Sequence, residues 1–172
     1  MSPPTLATPG QFLTFRIGGD EYGLPILQVR EIIEYQPITR VPNAPPAIIG
    51  VLNLRGSAVP VADLSRAFGR PESVITRRTC VVIVEVHHDT ELTAVGMLVD
   101  SVSQVLELTE AQIRPPPSFG TPVSLDFLRG MGQVEQRFVL LLDCERVLSL
   151  DELRGLRAVA SSSPAPAQAG TP

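Results

Sequence analysis

The sequence predicts an all-β protein of two similar small β-barrels, with short helices between strands and an amphipathic helix near the C-terminus. Three observations predict this. Apolar residues alternate with others over short runs broken by Gly- and Pro-containing turns, the pattern of strands rather than helices. The long helices of a βαβ fold are missing. One ordered set of features also occurs twice. In the first copy Tyr22-Gly23 leads to Val29, a Pro-containing connection, Leu54-Arg55-Gly56 and a strand ending at Asp63. In the second, Val95-Gly96 leads to Val102, Pro115-Pro116-Pro117, Leu128-Arg129-Gly130 and a strand ending at Asp143.

The elements follow in order. Residues 1–10 carry three prolines and no periodicity, and read as a disordered lead-in to a domain over 11–157. In 12–17, Phe12, Thr14 and Arg16 alternate with Leu13, Phe15 and Ile17. Gly18-Gly19-Asp20 turns the chain into a return strand over 21–26. Ile26, Val29 and Ile33 fall at helical spacing while Val29, Glu31 and Ile33 fit a strand face, so a short helical turn leading into a strand is expected. An extended Pro-rich connection covers 39–46. Residues 49–64 read as two strands around the corner Arg55-Gly56-Ser57, where Gly56 permits a positive φ. This leaves a permanently charged guanidinium at the tip of an apolar hairpin. Asp63 caps a short helix over 64–68, which Gly69 ends. A second hairpin joins 74–88 to 92–99. Thr109-Glu110-Ala111-Gln112 is a capping box for a short helix, and the triple proline forces extended chain. A strand over 137–142 precedes a short helix over 144–148 capped by Asp143. Ser149-Leu150-Asp151-Glu152 is another capping box, and Leu150, Leu153, Leu156 and Val159 follow at three-residue intervals. Residues 158–172 form a Pro/Ala/Ser tail expected to be disordered.

Composition narrows the function. All 14 basic residues are arginine, which excludes P-loop nucleotide binding, Schiff-base chemistry and lysine-dependent phosphoryl transfer. A net charge of -4, no Trp and one adjacent basic pair, Arg77-Arg78, argue against nucleic-acid binding. Cys80 and Cys144 sit in or beside apolar runs and read as reduced thiols. No signal-peptide pattern or membrane-length apolar run is seen, so a cytoplasmic protein is expected. His87 and His88, neighbours on a strand, point to opposite faces and cannot chelate one metal together. There is no Gly-x-Ser-x-Gly elbow and no glycine-rich loop opening a phosphate-binding helix. The sequence therefore offers no catalytic centre, no metal site and no cofactor, and a lean two-barrel protein without chemistry reads as a connector.

The order FLTFRIGGDEYGLP, the NLRG corner at 53–56, PVADL at 60–64, VVIVEV at 81–86, LVDSVSQVL at 98–106 and FLRGMGQVEQRFVLLLDCERVL from Phe127 resembles the CheW-type chemotaxis coupling proteins over 11–153. The resemblance implies two intertwined SH3-like five-stranded β-barrels with a hydrophobic groove between them. It implies a non-catalytic adaptor that couples methyl-accepting chemoreceptors to a CheA-type histidine kinase, meeting the membrane only through the receptors. A stand-alone coupler, without a kinase core, phosphotransfer domain or receiver, is expected. A coupler of a chemosensory-like pathway controlling pili, gliding or development is the alternative. Residue by residue, the resemblance implies receptor contacts at Val29, Glu31 and Arg55, and contacts to the kinase's regulatory domain at Arg114 and Phe119. Val29 as a core residue, Glu31 as a solvated charge and Phe119 as a plug of its own barrel are the structural alternatives. Two departures stand out: Ser57-Ala58 is smaller than the aliphatic pair usual after NLRG, and Ser118 replaces an acidic residue often found before the phenylalanine.

Overall fold

The structure is a computed structural model and describes residues 7–43, 47–88, 91–116 and 127–147. Among the described residues eleven strands form two sheets. The first half contributes β1 (Gly10–Ile17), β2 (Asp20–Pro25), β3 (Val29–Glu34), β4 (Ile48–Leu54) and β5 (Ser57–Asp63). The second contributes β6 (Cys80–His88), β7 (Glu91–Val99), β8 (Ser101–Leu108), β9 (Ile113–Arg114), β10 (Leu128–Val134) and β11 (Arg137–Leu142). The sheet orders are β3-β6-β7-β5-β4 and β8-β1-β2-β11-β10-β9. Each half thus lends its opening hairpin to the other half's barrel, which is the intertwining expected from the resemblance.

The duplication holds to the residue. Gly96 of β7 pairs with Val61 of β5 in parallel, and Gly23 of β2 pairs with Leu141 of β11 in the same way. A β-bulge separates Ile48 from Gly50 in the first barrel and Leu128 from Gly130 in the second. This register corrects one expectation. Leu128-Arg129-Gly130 lies inside β10 and corresponds to Ile48-Ile49-Gly50, not to the Leu54-Arg55-Gly56 corner. Gly50 and Gly130 share φ near +150°, at 151° and 150°, so the glycines mark equivalent bulges and the shared Leu-Arg-Gly spelling is coincidental. The true counterpart of Arg55 is Glu135, at the β10–β11 turn.

Both faces of the shared hairpins are buried because they serve two cores. Leu13, Phe15 and Ile17 of β1, with Val82, Val84 and Val86 of β6, enter a central core between the barrels. Phe12 and Val139 fill the second barrel, while Val81 and Ile83 with Val59 and Val61 fill the first. Phe15, Tyr22, Phe68 and Phe127 form an aromatic run in or against the central core, with successive ring centroids 6.2, 5.4 and 6.1 Å apart. Burial pushes the Tyr22 phenol up to about 12. The seam between the barrels holds a packed core, in which each large side chain contributes about 1.5–3 kcal/mol.

Local elements follow the sequence with small shifts. A 3₁₀ turn (Ile26–Gln28) precedes β3, as expected of a helical turn leading into a strand. Helix α1 (Leu64–Ala67) is capped by the Asp63 carboxylate, which accepts from the Ser65 N–H at 3.0 Å. Helix α2 (Cys144–Val147) is capped by Asp143. Thr109 and Gln112 form the capping box, around a 3₁₀ turn (Glu110–Gln112). The strand expected over 74–88 begins only at Cys80, because Thr76 and Thr79 close a side-chain-bonded turn before it. The lead-in expected over 1–10 is shorter at its inner end. Ala7 is buried and donates its N–H to the Arg129 carbonyl, and Gly10 opens β1. Cys144 is buried and Cys80 half-buried, both as free thiols. The helix expected over 149–159 and the tail over 158–172 lie outside the described residues.

Candidate functional site

Arg55 is held by its turn. Leu54 pairs with Ser57 across a two-residue loop in which Arg55 has φ 51° and Gly56 φ 89°. Positive φ at both positions is the type I′ geometry whose twist suits a hairpin. Ser57, expected in the corner, instead opens β5. The Asn53 side-chain oxygen accepts the Gly56 N–H at 2.8 Å and stiffens the tip.

Glu31 meets Arg55 from the opposite edge of the same sheet. The Arg55 guanidinium donates to the two Glu31 carboxylate oxygens at 2.5 and 3.3 Å, a bidentate clamp. This hydrogen bonding holds the Glu31 carboxyl below its ordinary range and raises the Arg55 guanidinium further. The clamp ties β3 to the β4–β5 turn, and the Thr39–Val51 bridge joins the segment after β3 to β4. Sequence reasoning treats Glu31 and Arg55 as two separate charges, whereas the structure makes them one unit. Of that unit, the Arg55 side chain is 66% exposed and Glu31 27%.

Val29 is placed differently. A bulge at Arg30 separates Val29 from Glu31, so two residues of β3 oppose one of β6 and the strand's faces change over. Val29 packs against the central core, while Ile33, four residues on, packs against the core of the first barrel. Arg30, the bulged residue, is swung out to solvent, 3.9 Å from Glu85.

Beside the clamp lies a groove of about 520 Å³ lined by Leu54, Arg55, Ser57, Ala58, Val59, Pro60, Leu92, Thr93, Ala94 and Arg30. Its origin is local. The parallel ladder between β5 and β7 covers only Val61 to Asp63. Pro60 has no N–H to extend that ladder toward β7. Beyond it, β5 and β7 face one another through Ala58, Ala94, Thr93 and Ser57, which are small. In the second barrel the ladder starts one residue earlier, at Leu140, the counterpart of Pro60. Arg30, Pro60 and the β7 residues of this groove escape a reading of the first half alone, because β7 comes from the other half. Pro60 inside a buried strand is the sequence signal for it.

Arg114 stands in the other barrel. It is exposed on β9, pairs with Met131 and donates its Nε–H to the Gln133 side-chain oxygen at 2.8 Å. Phe119 lies outside the described residues. Among the described residues no group of three or more metal-ligating side chains stands together. No helix there is long and apolar enough to cross a membrane.

Two interlocked barrels that spend their buried residues on three cores, and present a preset arginine beside an open groove, define a protein-docking scaffold. Comparison with known proteins makes this specific. The CheW-like domain model matches residues 11–152. The chemotaxis protein CheW of Klebsiella aerogenes is 40% identical over 152 residues, which span 88% of this chain and 89% of that one. Protein FrzA of Myxococcus xanthus is 29% identical over 85% of this chain and 89% of its own length. The crystal structure of scaffolding protein TtCheW from Thermoanaerobacter tengcongensis superposes with a TM-score of 0.74 at 28% identity, covering 84% of this chain and 96% of that one. The chain belongs to the CheW-like domain family.

Proposed function

We propose that this protein is a chemotaxis coupling adaptor, a scaffold without chemistry of its own that links methyl-accepting chemoreceptors to a CheA-type histidine kinase. The observation that carries the reading is membership of the CheW-like family over 11–152, on a double barrel with interlocked halves. The adaptor works in the cytoplasm, needs no metal or cofactor, and meets the membrane only through the receptors.

In this reading the receptor docks on the first barrel at the Glu31–Arg55 clamp, with Val29 supporting the strand from below. Arg55 offers a receptor carboxylate a guanidinium whose position is already fixed, which sets orientation more than raw affinity. Arg114 and Phe119 of the second barrel contact the regulatory domain of the kinase. Receptor and kinase thus use different barrels, and the packed seam holds them in register. The similarity to FrzA fits a second reading, a coupler for a chemosensory-like pathway controlling pili, gliding or development. Neighbouring genes distinguish the two outputs.

The test is capture from the source organism's lysate with wild type and Arg55→Glu in parallel. Wild type recovers a histidine kinase and a chemoreceptor. Arg55→Glu keeps the kinase and its thermal midpoint, and loses the receptor by about tenfold or more. An Arg55→Glu protein that unfolds would make the arginine structural. A folded wild type that recovers neither partner would remove the coupler reading.

A further inference from the structure

We infer that this chain docks onto a second copy of itself head to tail: Phe138 of one molecule enters the open groove beside Ala58 of the next. The inference stands on two surfaces of this chain and goes beyond the coupling of receptor to kinase.

The duplication supplies both halves of the contact. The paired registers make Ala58 equivalent to Phe138, Ala94 to Glu21 and Arg55 to Glu135. One position on one backbone therefore leaves a hollow in the first barrel and projects a ring from the second. The hollow is the groove of about 520 Å³, with Ala58, Pro60 and Ala94 among its walls. The ring is Phe138, 48% exposed on β11. Among the described residues it is the one phenylalanine that stands out to water. Phe12 and Phe15 are buried, and Phe68 and Phe127 pack against the central core. Its neighbour Arg137 is already paired with Glu21 at 2.9 Å. An exposed phenyl ring gains by leaving water, and a groove with apolar walls is where it gains most. Phe138 and the groove lie on different barrels, so a second molecule brings the ring.

Charge agrees with shape. Two guanidiniums stand on the rim of the groove. Arg30 is 3.9 Å from Glu85, outside hydrogen-bond reach, and Arg55 shares its donors with Glu31. The tip of the other barrel carries Glu135, exposed and without an ion pair among the described residues. With tip set beside tip, Glu135 brings a carboxylate to the arginine rim while Phe138 brings its ring to the groove. An apolar side chain that fits a pocket elsewhere on the same molecule makes a heterologous contact. Each molecule keeps one ring or one groove free, so the contact propagates from copy to copy. One ring and one carboxylate make a small interface of the weak, transient class. A copy docked in this way covers Arg55, so self-contact and the receptor docking proposed above exclude one another.

The experiment is sedimentation velocity on the full chain from about 10 μM to about 1 mM. It compares wild type, Phe138→Ser, Ala58→Phe and an equimolar mixture of the two variants. Phe138→Ser has a groove without a ring, and Ala58→Phe has a ring without a groove. The wild-type sedimentation coefficient is expected to rise with concentration. Each variant alone associates about tenfold or more weakly. The mixture regains association and stops at a pair, because only one ring and one groove remain between its two members. The thermal midpoint reports that each variant is folded, and Ala58→Leu replaces Ala58→Phe in the same mixture if the phenyl ring is not accommodated. A wild type that stays monomeric throughout would overturn the inference. So would association that both variants keep, or a mixture that fails to recover it. Association lost in Phe138→Ser and kept in Ala58→Phe would mean that ring meets ring, and would overturn the head-to-tail contact.

Discussion

Ala58 in the first barrel and Phe138 in the second occupy one structural position, and the difference shows how a duplicated fold divides its labour. Everything that sets the backbone is kept in both barrels. The bulge glycines Gly50 and Gly130 have the same φ, and Gly96 and Gly23 lie under the same parallel ladder. Asp63 and Asp143 cap equivalent helices, α1 and α2, and their N–H groups donate at 2.8 Å to the equivalent carbonyls of Ala47 and Phe127. What differs is the outer surface at the hairpin tips. One barrel pairs a guanidinium with Glu31 beside an open groove; the other carries Glu135 at its tip and an exposed Phe138 at the position of Ala58. Conserved framework and divergent tips mean that the barrels fold by the same rules and dock by different ones. Framework variants should therefore damage stability, and tip variants should damage binding alone.

The largest expected effect is on the framework. A Cβ on Gly50 would stand 2.1 Å from the Thr39 carbonyl oxygen, which is backbone and cannot yield. The φ of 151° there is also one that L-residues rarely adopt. Gly50→Ala is expected to cost about 3 kcal/mol or more, read by urea unfolding. A loss below about 1 kcal/mol would show that β4 can shift away from the 39–51 bridge, and that the bulge is not a fixed part of the plan.

The two capping aspartates break the symmetry less severely. Asp63 is fully buried and accepts from Ser65 N–H, Ser73 N–H and the Ser73 hydroxyl, so it fixes the loop after α1 as well as the helix. Asp143 caps α2 and pairs with Arg129, whose side chain is 40% exposed and can turn to water when the carboxylate is removed. Asp63→Ala is expected to cost about 2–3 kcal/mol and Asp143→Ala about 1–2 kcal/mol, because only the first leaves buried donors without acceptors. Equal losses in the same unfolding assay would mean that the loop bonds of Ser73 contribute nothing beyond the cap.

Much of this plan is legible in the sequence, and the illegible parts share a cause. Alternation reveals strands, and Asp63 and Asp143 announce their helices, because faces and caps are local properties. Partner choice is not local. The β1–β2 hairpin could pair with either set of remaining strands, since both present the same parallel contact, to Gly23 or to Gly96. Periodicity alone therefore does not specify the swap; the family resemblance implies it. Spelling also misleads where register decides. Leu128-Arg129-Gly130 reads like Leu54-Arg55-Gly56, yet only the bulge shows that it matches Ile48-Ile49-Gly50. At the site, Arg55 was visible as a charged tip. Its pairing with Glu31 was not, because it requires bringing β3 to the β4–β5 turn. Alternation puts Val29 on the same face as Glu31, and the bulge at Arg30 turns it onto the central core.

The smallest expected effect probes the clamp itself. The positions of Glu31 and Arg55 are held in the second barrel by Gln104 and Glu135, which cannot form an ion pair. In wild type the Arg55 hydrogen bonds hold Glu31 below the ordinary carboxylate range. A carboxyl whose folded pKa lies below its unfolded one adds stability that is complete above the unfolded value and is lost as pH falls through the folded value. The clamp is therefore insensitive to pH above about 6, and a falling pH opens it only below the usual carboxylate range. Arg55→Ala is expected to return the Glu31 titration to that range, followed by carboxyl chemical shifts in NMR, with little change in the thermal midpoint at neutral pH because exposed pairs contribute little. Glu31 titrating at its ordinary value in wild type would show the clamp open in solution. Arg55 would then stand free, and the two hairpin tips would differ in the sign of their charge rather than in preorganisation.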